Sequence, residues 1–213
     1  MEINNHGLIF YPVNNNSSVI KAMLSNRKWE KKIVNIFNEN ITKEDTVIDV
    51  GSYIGTHMIE MSKLAKKVFS FEPVPLISAC VEKTIKAMNI TNVIHKNVGC
   101  GSDNGSDFIH TNYNGDSSLS NIRDHMFSQK FACEIVKLDD VINEPIKLMK
   151  IDVEGSEWEV LAGAIGIIEE YKPIIILETF KTKRNLKLLD EFAEGFDYDY
   201  EYISGDNYLL QPI

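Results

Sequence analysis

A glycine-containing loop follows a short β-branched run and has the spacing of a nucleotide-type site. Residues 46–50 read TVIDV and lead directly into GSYIGT at 51–56. Glycine has no Cβ, so Gly51 lets the backbone turn tightly after the strand and Gly55 lets a ligand or helix approach closely. The spacing differs from the dinucleotide fingerprint G-x-G-x-x-G, because Tyr53 stands where that pattern has its second glycine.

Two acidic residues lie where they could bind such a ligand. Asp49 precedes the first glycine by two residues, so its carboxylate could bind the amino group of an aminoacyl ligand directly or through water. Glu72 lies 21 residues after Gly51, close to the ~20-residue separation at which an acid binds ribose hydroxyls in doubly wound folds. Each feature alone is common, but together, in this order, they strongly indicate a nucleoside-binding site.

The elements around these residues predict an α/β fold. We expect strands at 46–50, 67–72, 93–95, 108–110, 134–138, 146–152 and 174–178, and helices at 29–40, 75–88, 156–166 and 182–194. Such alternation is typical of a doubly wound, Rossmann-like, mostly parallel sheet covered on both faces. Gly195 is the expected C-cap of the last helix, and the runs 198–203 and 208–211 predict an antiparallel hairpin that closes the sheet.

Length and composition fit one domain. The chain has 213 residues, of which 44% are hydrophobic and 25% charged, so it can bury a sizeable core. We expect a single domain over residues 1–213, in which an N-terminal extension at 1–40 packs on a cofactor-binding core at 41–213. The net charge of −9 argues against nucleic acid as a partner, because phosphate binding requires a basic surface.

The sequence also bears on location. The longest apolar runs are far shorter than the ~20 residues that a membrane helix needs, and residues 1–13 lack the basic and apolar regions of a signal peptide. Cys80, Cys100 and Cys133 form no C-x-x-C pair, and three cysteines cannot complete a disulfide framework. We therefore expect a cytoplasmic protein without a membrane span, while the oligomeric state is open.

Four sequence blocks resemble the FkbM-type S-adenosylmethionine-dependent methyltransferases. The blocks are VIDVGSYIGT at 47–56, FEPVP at 71–75, LMKIDVEGSE at 148–157 and PIIILE at 173–178, in the family's order. The third block is the most specific, because KIDVEGxE is rarer than a glycine-rich loop. The resemblance implies a class I methyltransferase fold with seven strands and S-adenosylmethionine as cofactor. Ser52 and Tyr53 depart from the family, which usually has a small residue followed by Asn.

The resemblance also assigns residues to the cofactor. They are Asp49, Gly51, Ser52, Tyr53, Gly55, Thr56, Glu72, Asn97, Val98 and Asp152. Glu72 would hold the ribose, and Asp152 would close the strand at which sulfonium and acceptor meet. Asn97 and Val98 would lie near the adenine, or they could merely end the third strand.

Methyl transfer to oxygen requires a positioned acceptor and a group that takes its proton. Candidates for this general base are Asp152, Glu178 and Glu154, each at or just past the carboxyl end of a strand, where ligands bind in open α/β sheets. Asp152 is the first choice, and Glu154 could instead cap the next helix.

Asp152 and Glu178 could alternatively hold a divalent cation. No third ligand is visible and no Cys or His pair has zinc spacing, so we expect no metal.

The acceptor site is expected in the least periodic part of the chain. Residues 99–129 are rich in Gly, Ser, Asn and Asp, and loops of this kind often carry binding residues. Ser118, next to Ser117, is a candidate substrate residue together with Arg123 and His125. His57, which follows the glycine loop, could also face the acceptor.

The hypothesis is an S-adenosylmethionine-dependent O-methyltransferase that acts on a sugar hydroxyl of a glycan or glycosylated metabolite, since family members often modify such groups. One alternative is an NAD-dependent oxidoreductase or epimerase, which would need a glycine in place of Tyr53. Another is a non-catalytic cofactor-binding module. A nucleic-acid methyltransferase would need an Asn/Asp-Pro-Pro-aromatic motif or a basic face, and neither occurs. The chain could also belong to a longer multidomain protein that modifies glycans.

Overall fold

The computed structural model describes residues 2–3, 9–10, 19, 21–22, 25, 29–111, 117–119 and 129–213. The strands are β1 (Glu2–Ile3), β2 (Ile9–Phe10), β3 (Thr46–Val50), β4 (Lys67–Phe71), β5 (Val93–Lys96), β6 (Gly99–Cys100), β7 (Gly105–Thr111), β8 (Ser117–Leu119), β9 (Gln129–Val136), β10 (Leu148–Ile151), β11 (Ile174–Glu178), β12 (Tyr198–Ser204) and β13 (Asn207–Pro212). The helices are α1 (Lys31–Asn40), α2 (Thr56–Leu64), α3 (Pro75–Ala87), α4 (Leu138–Val141), α5 (Glu157–Ala162), α6 (Ile165–Tyr171) and α7 (Lys183–Phe196).

A seven-stranded sheet in the order β12-β13-β11-β10-β3-β4-β5 carries most of the fold. The pairings among β11, β10, β3, β4 and β5 are parallel, and β13 is antiparallel to both β11 and β12. The predicted fold class, with its antiparallel C-terminal hairpin, is therefore confirmed. The chain winds outward from β3 in one direction and from β10 in the other, so the topological switch point lies between these two strands. Ligands bind at the carboxyl ends of strands beside such a point.

Apolar side chains cover both faces of this sheet. Val47 of β3 and Leu148 of β10 belong to one buried cluster, and their neighbours Ile48 and Met149 belong to the other. Successive side chains of a strand point to opposite faces, which explains why these strands are apolar at nearly every position. Strands buried on both faces read as continuous hydrophobic runs.

The N-terminal part of the described chain contributes to the first of these clusters. Ile33 and Phe37 of α1 are fully buried there, as the helical spacing of apolar residues predicted. The division of the domain at residue 40 stays a prediction. None of the helices in the described ranges has the length and apolarity that crossing a bilayer requires.

The described residues of 99–129 are more regular than the sequence predicted. Instead of loops around one strand, they form β6, β7 and β8, which join β9, expected in part as the strand at 134–138, in a second sheet of the order β6-β9-β7-β8. Its main pairing is antiparallel and joins β7 to β9, with Gly105 opposite Ile135 at one end and Thr111 opposite Gln129 at the other. The sequence signal was weak because Gly, Ser and Asp within and before β7 lower its β-propensity, and the long-range pairing with β9 compensates for this.

The single helix expected at 156–166 is divided into α5 and α6. The two helices meet at Gly163, where an added Cβ would lie 2.0 Å from the carbonyl oxygen of Gly101. The carboxylate of Asp139 accepts hydrogen bonds from the amides of Gly166 and Ile167 at 2.9 Å each. These contacts with distant residues start a new helix at this point, so no local pattern could predict the break.

The C-cap predicted at Gly195 is wrong. Gly195 lies inside α7, and the left-handed residue that ends this helix is Asp197, with φ 56°. The helix continues because Phe196 packs against Phe192, with ring centroids 4.8 Å apart. Asp is one of the few residues other than glycine that enter the left-handed region with tolerable strain.

Candidate active site

A row of polar side chains lies on one face of the sheet at its carboxyl end. Asp49 of β3 is in register with Lys150 of β10, and Glu178 of β11 is in register with Asn207 of β13. Alternation along each strand places all four on the face covered by α1 and α2. The sequence predicted Asp49 and Glu178 as site residues. It contained Lys150 in the KIDVEGxE block without assigning it a role, and it gave no indication of Asn207.

An ion pair between a buried lysine and a partly exposed aspartate lies at the end of β10. The Nζ of Lys150 contacts Oδ2 of Asp152 at 2.8 Å, and the lysine side chain is 1% exposed. Burial opposes the charge of each partner, but the neighbouring acids raise the pKa of Lys150 above its ordinary value. In turn, the ammonium of Lys150 holds the pKa of Asp152 below its usual range. Asp152 is therefore ionised at neutral pH.

Glu178 lies next to this pair, and its carboxyl group is hydrogen-bonded to that of Asp152. Burial, followed by the negative charge of Asp152, raises the pKa of Glu178 to about 9. At neutral pH Glu178 therefore carries a proton, which it donates to the ionised Asp152. The structure thus brings together two of the three predicted carboxylates.

Glu154, the third predicted carboxylate, has a different environment. It is exposed and occupies a left-handed turn with φ 57°. The carboxylate that accepts a hydrogen bond from this turn is that of Glu157, at 2.7 Å from the amide of Gly155. The structure does not place Glu154 in the polar group around Asp152, and a catalytic role for it stays a prediction.

The glycine loop has the tight turn that its sequence predicted. Gly51 has φ 80°, and an added Cβ would lie 1.7 Å from the carbonyl oxygen of Asp152. The close approach at Gly51 is therefore between two loops of the protein. Gly55 has φ 86° and begins α2, where a Cβ would lie 2.8 Å from Cε of Met58.

Glu72 connects this loop to the end of β4. Its carboxylate accepts hydrogen bonds from the amides of Tyr53 at 3.0 Å and Val74 at 2.9 Å. Burial raises the pKa of Glu72 to about 8. Each carboxylate oxygen can accept a further hydrogen bond, so the group can still bind ribose hydroxyls. Asn97 holds the same corner, since its Nδ2 donates to the carbonyl oxygen of Glu72 at 2.7 Å.

Asp49 is a buried carboxyl group whose hydrogen-bonding capacity is largely unused. It is 0% exposed, and neither oxygen has a partner of good geometry among the described residues. Burial raises its pKa, and the charge of Lys150 and the nearby backbone amide of Met58 oppose this shift. The Oγ of Ser52, in the adjoining loop, is likewise buried without a partner. An unsatisfied buried polar group costs about 1–3 kcal/mol, and an ammonium-bearing ligand at this loop would remove that cost. The observation fits the aminoacyl ligand that the sequence predicted.

Glu30 and His57 form a contact that the sequence did not predict. Oε2 of Glu30 lies 2.8 Å from Nε2 of His57, and Nδ2 of Asn207 donates to Oε1 of Glu30 at 3.0 Å. Glu30 adopts φ 44° at the start of α1. The sequence had singled out His57, but Glu30 belongs to no motif and lies 27 residues away, so only the tertiary structure shows the pair.

The charges of this region favour a cationic ligand. Glu30 and Asp152 are ionised because their pKa values are lowered, and Lys150 carries a positive charge because its pKa is raised, whereas Glu178 is neutral. A low-dielectric site with more negative than positive charges attracts a cation. Among the described residues, no group of three or more His, Cys, Asp or Glu has the arrangement of a metal site.

The remaining predicted residues are less well defined. Thr56 is the first residue of α2, and Val98 packs against the second apolar cluster. The backbone of Ser118 pairs with His110 between β8 and β7. Arg123 and His125 lie outside the described residues, so the predicted acceptor site at Ser118, Arg123 and His125 stays a prediction.

The Methyltransferase FkbM domain matches residues 49–202, which include the glycine loop, Glu72, Asp152 and Glu178. The chain belongs to this family. The match favours a methyltransferase over an NAD-dependent enzyme.

Individual relatives agree with this assignment. The hexuronic acid methyltransferase AglP of Haloferax volcanii is 28% identical over 153 residues, which are 70% of this chain and 62% of that protein. The chain therefore spans less than two thirds of this curated relative.

Solved structures share the fold at low sequence identity. An FkbM methyltransferase from Methylobacillus flagellatus has a TM-score of 0.62 and 16% identity, over 91% of this chain and 52% of that one. A Streptococcus mutans protein described as a methyltransferase, in complex with SAH, has a TM-score of 0.57 and 14% identity, over 84% of this chain and 94% of that one. Family membership and this neighbour indicate S-adenosylmethionine as the cofactor.

Proposed function

We propose that this protein transfers a methyl group from S-adenosylmethionine to a sugar hydroxyl of a glycan or glycosylated metabolite. The observation that carries the proposal is the group of Lys150, Asp152 and Glu178 beside the buried Asp49, at the switch point of a methyltransferase sheet. The hexuronic acid activity of the relative AglP supports a sugar acceptor.

The cofactor would be held by residues on both sides of the switch point. Glu72 would accept hydrogen bonds from the ribose hydroxyls, and Asp49 would bind the ammonium group directly or through water. The loop at 51–56 would lie beneath the cofactor, and Asn97 and Val98 would border the adenine. When bound, S-adenosylmethionine supplies an electrophilic methyl group and a positive charge on sulfur.

Asp152 and Glu178 would serve the transfer through charge and orientation. Asp152 is ionised, so its negative charge would stabilise the positive charge that moves from sulfur toward the acceptor oxygen during transfer. Its lowered pKa makes it a weak proton acceptor, which counts against our first choice of Asp152 as the general base. Glu178 already donates its one proton to Asp152, so it would orient the acceptor by accepting a hydrogen bond from it. The proton of the hydroxyl therefore needs another destination.

Calorimetric titration tests the cofactor half of this proposal. The purified protein is titrated with S-adenosylhomocysteine, and with NAD in parallel. We expect micromolar binding of the first and no heat from the second. Binding of NAD alone, or of neither by folded protein, would contradict the proposal.

A transfer assay tests the acceptor half. The protein is incubated with S-adenosylmethionine carrying a labelled methyl group and with glycosides of neutral sugars or hexuronic acids. We expect a methyl ether, which survives mild alkali. A label that mild alkali removes would be a methyl ester, and it would show that the acceptor is a carboxylate instead of a hydroxyl.

A further inference from the structure

The Glu30–His57 contact leaves one nitrogen of the imidazole without a partner. Nε2 of His57 is engaged by Glu30 at 2.8 Å, whereas Nδ1 is buried and has no hydrogen-bond partner among the described residues. The whole side chain is 6% exposed. A buried histidine that serves only the fold usually has partners for both nitrogens, as His95 has in Ser70 and Ser78 at 2.9 Å each. The free Nδ1 therefore points to a ligand.

The orientation of His57 is fixed by its contacts with Glu30 and Phe37, and α1, which follows Glu30 and carries Phe37, is itself attached to the sheet. Asn207 holds the second oxygen of Glu30 at 3.0 Å, and the ring of Phe37 meets the imidazole edge-on, with centroids 5.5 Å apart. Nζ of Lys32 donates to the carbonyl oxygen of Ile203 at 2.9 Å, which attaches the start of α1 to the end of β12. A side chain held in this way is pre-organised, as an acid–base group must be.

Glu30 also determines which nitrogen carries the proton. Burial raises the pKa of Glu30. The hydrogen bond to His57 and the charge of Lys150 together lower this pKa by more than burial raises it, so the net shift is downward. Ionised Glu30 is only an acceptor, and the nitrogen that faces it must carry a hydrogen. In neutral His57 that nitrogen is Nε2, which leaves a lone pair on Nδ1.

His57 belongs to the same polar group as the transfer residues. It lies in the first turn of α2, directly after the glycine loop. A charge on His57 would lower the pKa of both Asp49 and Asp152, which shows that the three side chains share one electrostatic environment. A proton acceptor within this group is suitably located for a hydroxyl next to Asp152.

We propose that Nδ1 of His57 accepts the proton of the acceptor hydroxyl, and that Glu30 and Asn207 are positioning residues for it. This inference rests on the proposed function. The hydroxyl O–H bond breaks and its proton moves to Nδ1, while the oxygen forms a bond to the methyl carbon. The electron pair of the broken S–C bond stays on sulfur. The resulting imidazolium keeps its Nε2–H bond to Glu30 and later loses the new proton to water.

The tautomer of His57 can be measured without cofactor or activity. In protein labelled with 15N-histidine, two-bond 15N–1H correlation spectra distinguish a protonated from an unprotonated ring nitrogen. The spectrum of His57→Gln assigns the signal, because it lacks only that residue. At neutral pH we expect His57 with the proton on Nε2 and a bare Nδ1. A proton on Nδ1 would overturn the proposal.

Glu30→Gln tests the positioning role. A glutamine can accept or donate at the same place, so we expect a mixture of His57 tautomers in this variant. Glu39→Gln, at an exposed position of the same helix, is the matched control and should leave the tautomer unchanged. An unchanged tautomer in Glu30→Gln would remove Glu30 from this role.

Kinetics of His57→Gln separate this proposal from the proposed function. The glutamine amide reaches the position of Nε2, so it keeps the contact with Glu30 but provides no base. We expect turnover to fall by about 100-fold or more, with affinity for S-adenosylhomocysteine within about threefold of wild type. Normal turnover, or lost affinity as the main defect, would overturn the role of His57. Wild-type protein that binds no S-adenosylhomocysteine would instead contradict the proposed function.

The pH dependence of turnover provides a further readout. An imidazole base gives a rate that rises as the ring loses its proton, and this limb should be absent in His57→Gln. The charged groups around His57 are Glu30 at the start of α1, Asp49 on β3, Lys150 and Asp152 at the end of β10, and Glu178 on β11. The same limb in wild type and in His57→Gln would assign the proton to one of these groups instead.

Discussion

The two halves of the site are held together in different ways. In the half beside β4, backbone amides satisfy the carboxylate of Glu72, and the contact with Tyr53 crosses only 19 residues. In the half beside β10, side chains from distant segments contact one another, and Asn207 reaches Glu30 across 177 residues. The contacts of the first half join segments that are close in the sequence, whereas those of the second half join segments that only the tertiary fold brings together. Variants in the second half should therefore affect stability and transfer, and variants in the first should affect cofactor affinity.

The largest effect is expected from Lys150→Met. This change leaves the buried Asp49 and the partly exposed Asp152 without their cation. Removing one partner of a fully buried ion pair costs about 3–5 kcal/mol, and because the side chain of Asp152 is 27% exposed, we expect about 2–3 kcal/mol. Urea unfolding measures the loss. Lys147→Met, at an exposed position just before β10, is the matched control and should change stability by less than about 0.5 kcal/mol. Equal stability of the two variants would show that the β10 half does not depend on its ion pair.

Asp152→Asn should reduce turnover much more than cofactor affinity. The change keeps the shape of the side chain but removes the negative charge that would stabilise the positive charge developing at the acceptor oxygen during transfer. Loss of such an electrostatic contact lowers turnover by about 100-fold. Steady-state kinetics and calorimetry on the same preparation compare the two effects, with Glu159→Gln on the exposed side of α5 as control. An active Asp152→Asn enzyme would remove Asp152 from the transfer step, either as electrostatic partner or as base.

Glu72→Ala should have the opposite profile. It removes the acceptor of the ribose hydrogen bonds. Because the pKa of Glu72 is raised to about 8, this contact is between neutral groups near pH 7 and worth about 0.5–1.5 kcal/mol, so affinity for S-adenosylhomocysteine should fall by roughly 2- to 10-fold. Calorimetric titration measures this, with Glu82→Ala at an exposed position of α3 as control. Unchanged affinity would exclude Glu72 from the cofactor site and remove the distinction between the two halves.

The unliganded protein should lose stability as pH rises from about 5 to 9. The pKa values of Glu72, Glu157 and Glu178 are raised to about 8, 7 and 9, so the folded state binds more protons than the unfolded state over this range. Stability then falls with increasing pH. Urea unfolding at a series of pH values measures the slope, and Glu178→Gln should make it shallower. A stability that rises over this range would show that these carboxyl groups are ionised in the folded protein.

The smallest effect is expected far from both halves, at Gly195. Because Gly195 lies inside α7 and an added Cβ meets nothing within 4 Å, Gly195→Ala should stabilise the protein by about 0.5–1 kcal/mol. Affinity for S-adenosylhomocysteine should not change. A destabilised variant would instead support the left-handed cap that the sequence had predicted there.

Much of the fold and the cofactor half of the site were predictable because their signals are local. The strand at 46–50, the turn at Gly51 and the spacing to Glu72 each depend on short-range sterics and on the two-residue period of a buried strand. The same holds for the closing hairpin around Gly205, whose φ is 61°. A family resemblance reinforced these features, since it rests on the same contiguous blocks.

Elsewhere the local signal was absent or misleading. The break between α5 and α6 depends on Asp139 and on the approach of Gly163 to Gly101. At the end of α7, Nζ of Lys172 donates to the carbonyl oxygen of Phe196 at 2.7 Å, and the amide of Ile213 donates to the carbonyl oxygen of Asp197 at 2.9 Å. Both boundaries therefore involve contacts with distant segments, which neighbouring residues do not reveal.

The sequence by itself determined an α/β methyltransferase sheet, its loop and the carboxylates Asp49, Glu72, Asp152 and Glu178. Only the tertiary structure decided how these carboxylates are charged, since that depends on burial and on Lys150. It also decided that Glu30 meets His57, a contact between the starts of two helices, α1 and α2, that share no motif. The reason is physical: strand periodicity and turn sterics act between neighbours, whereas pKa values and buried polar contacts depend on what the fold brings together.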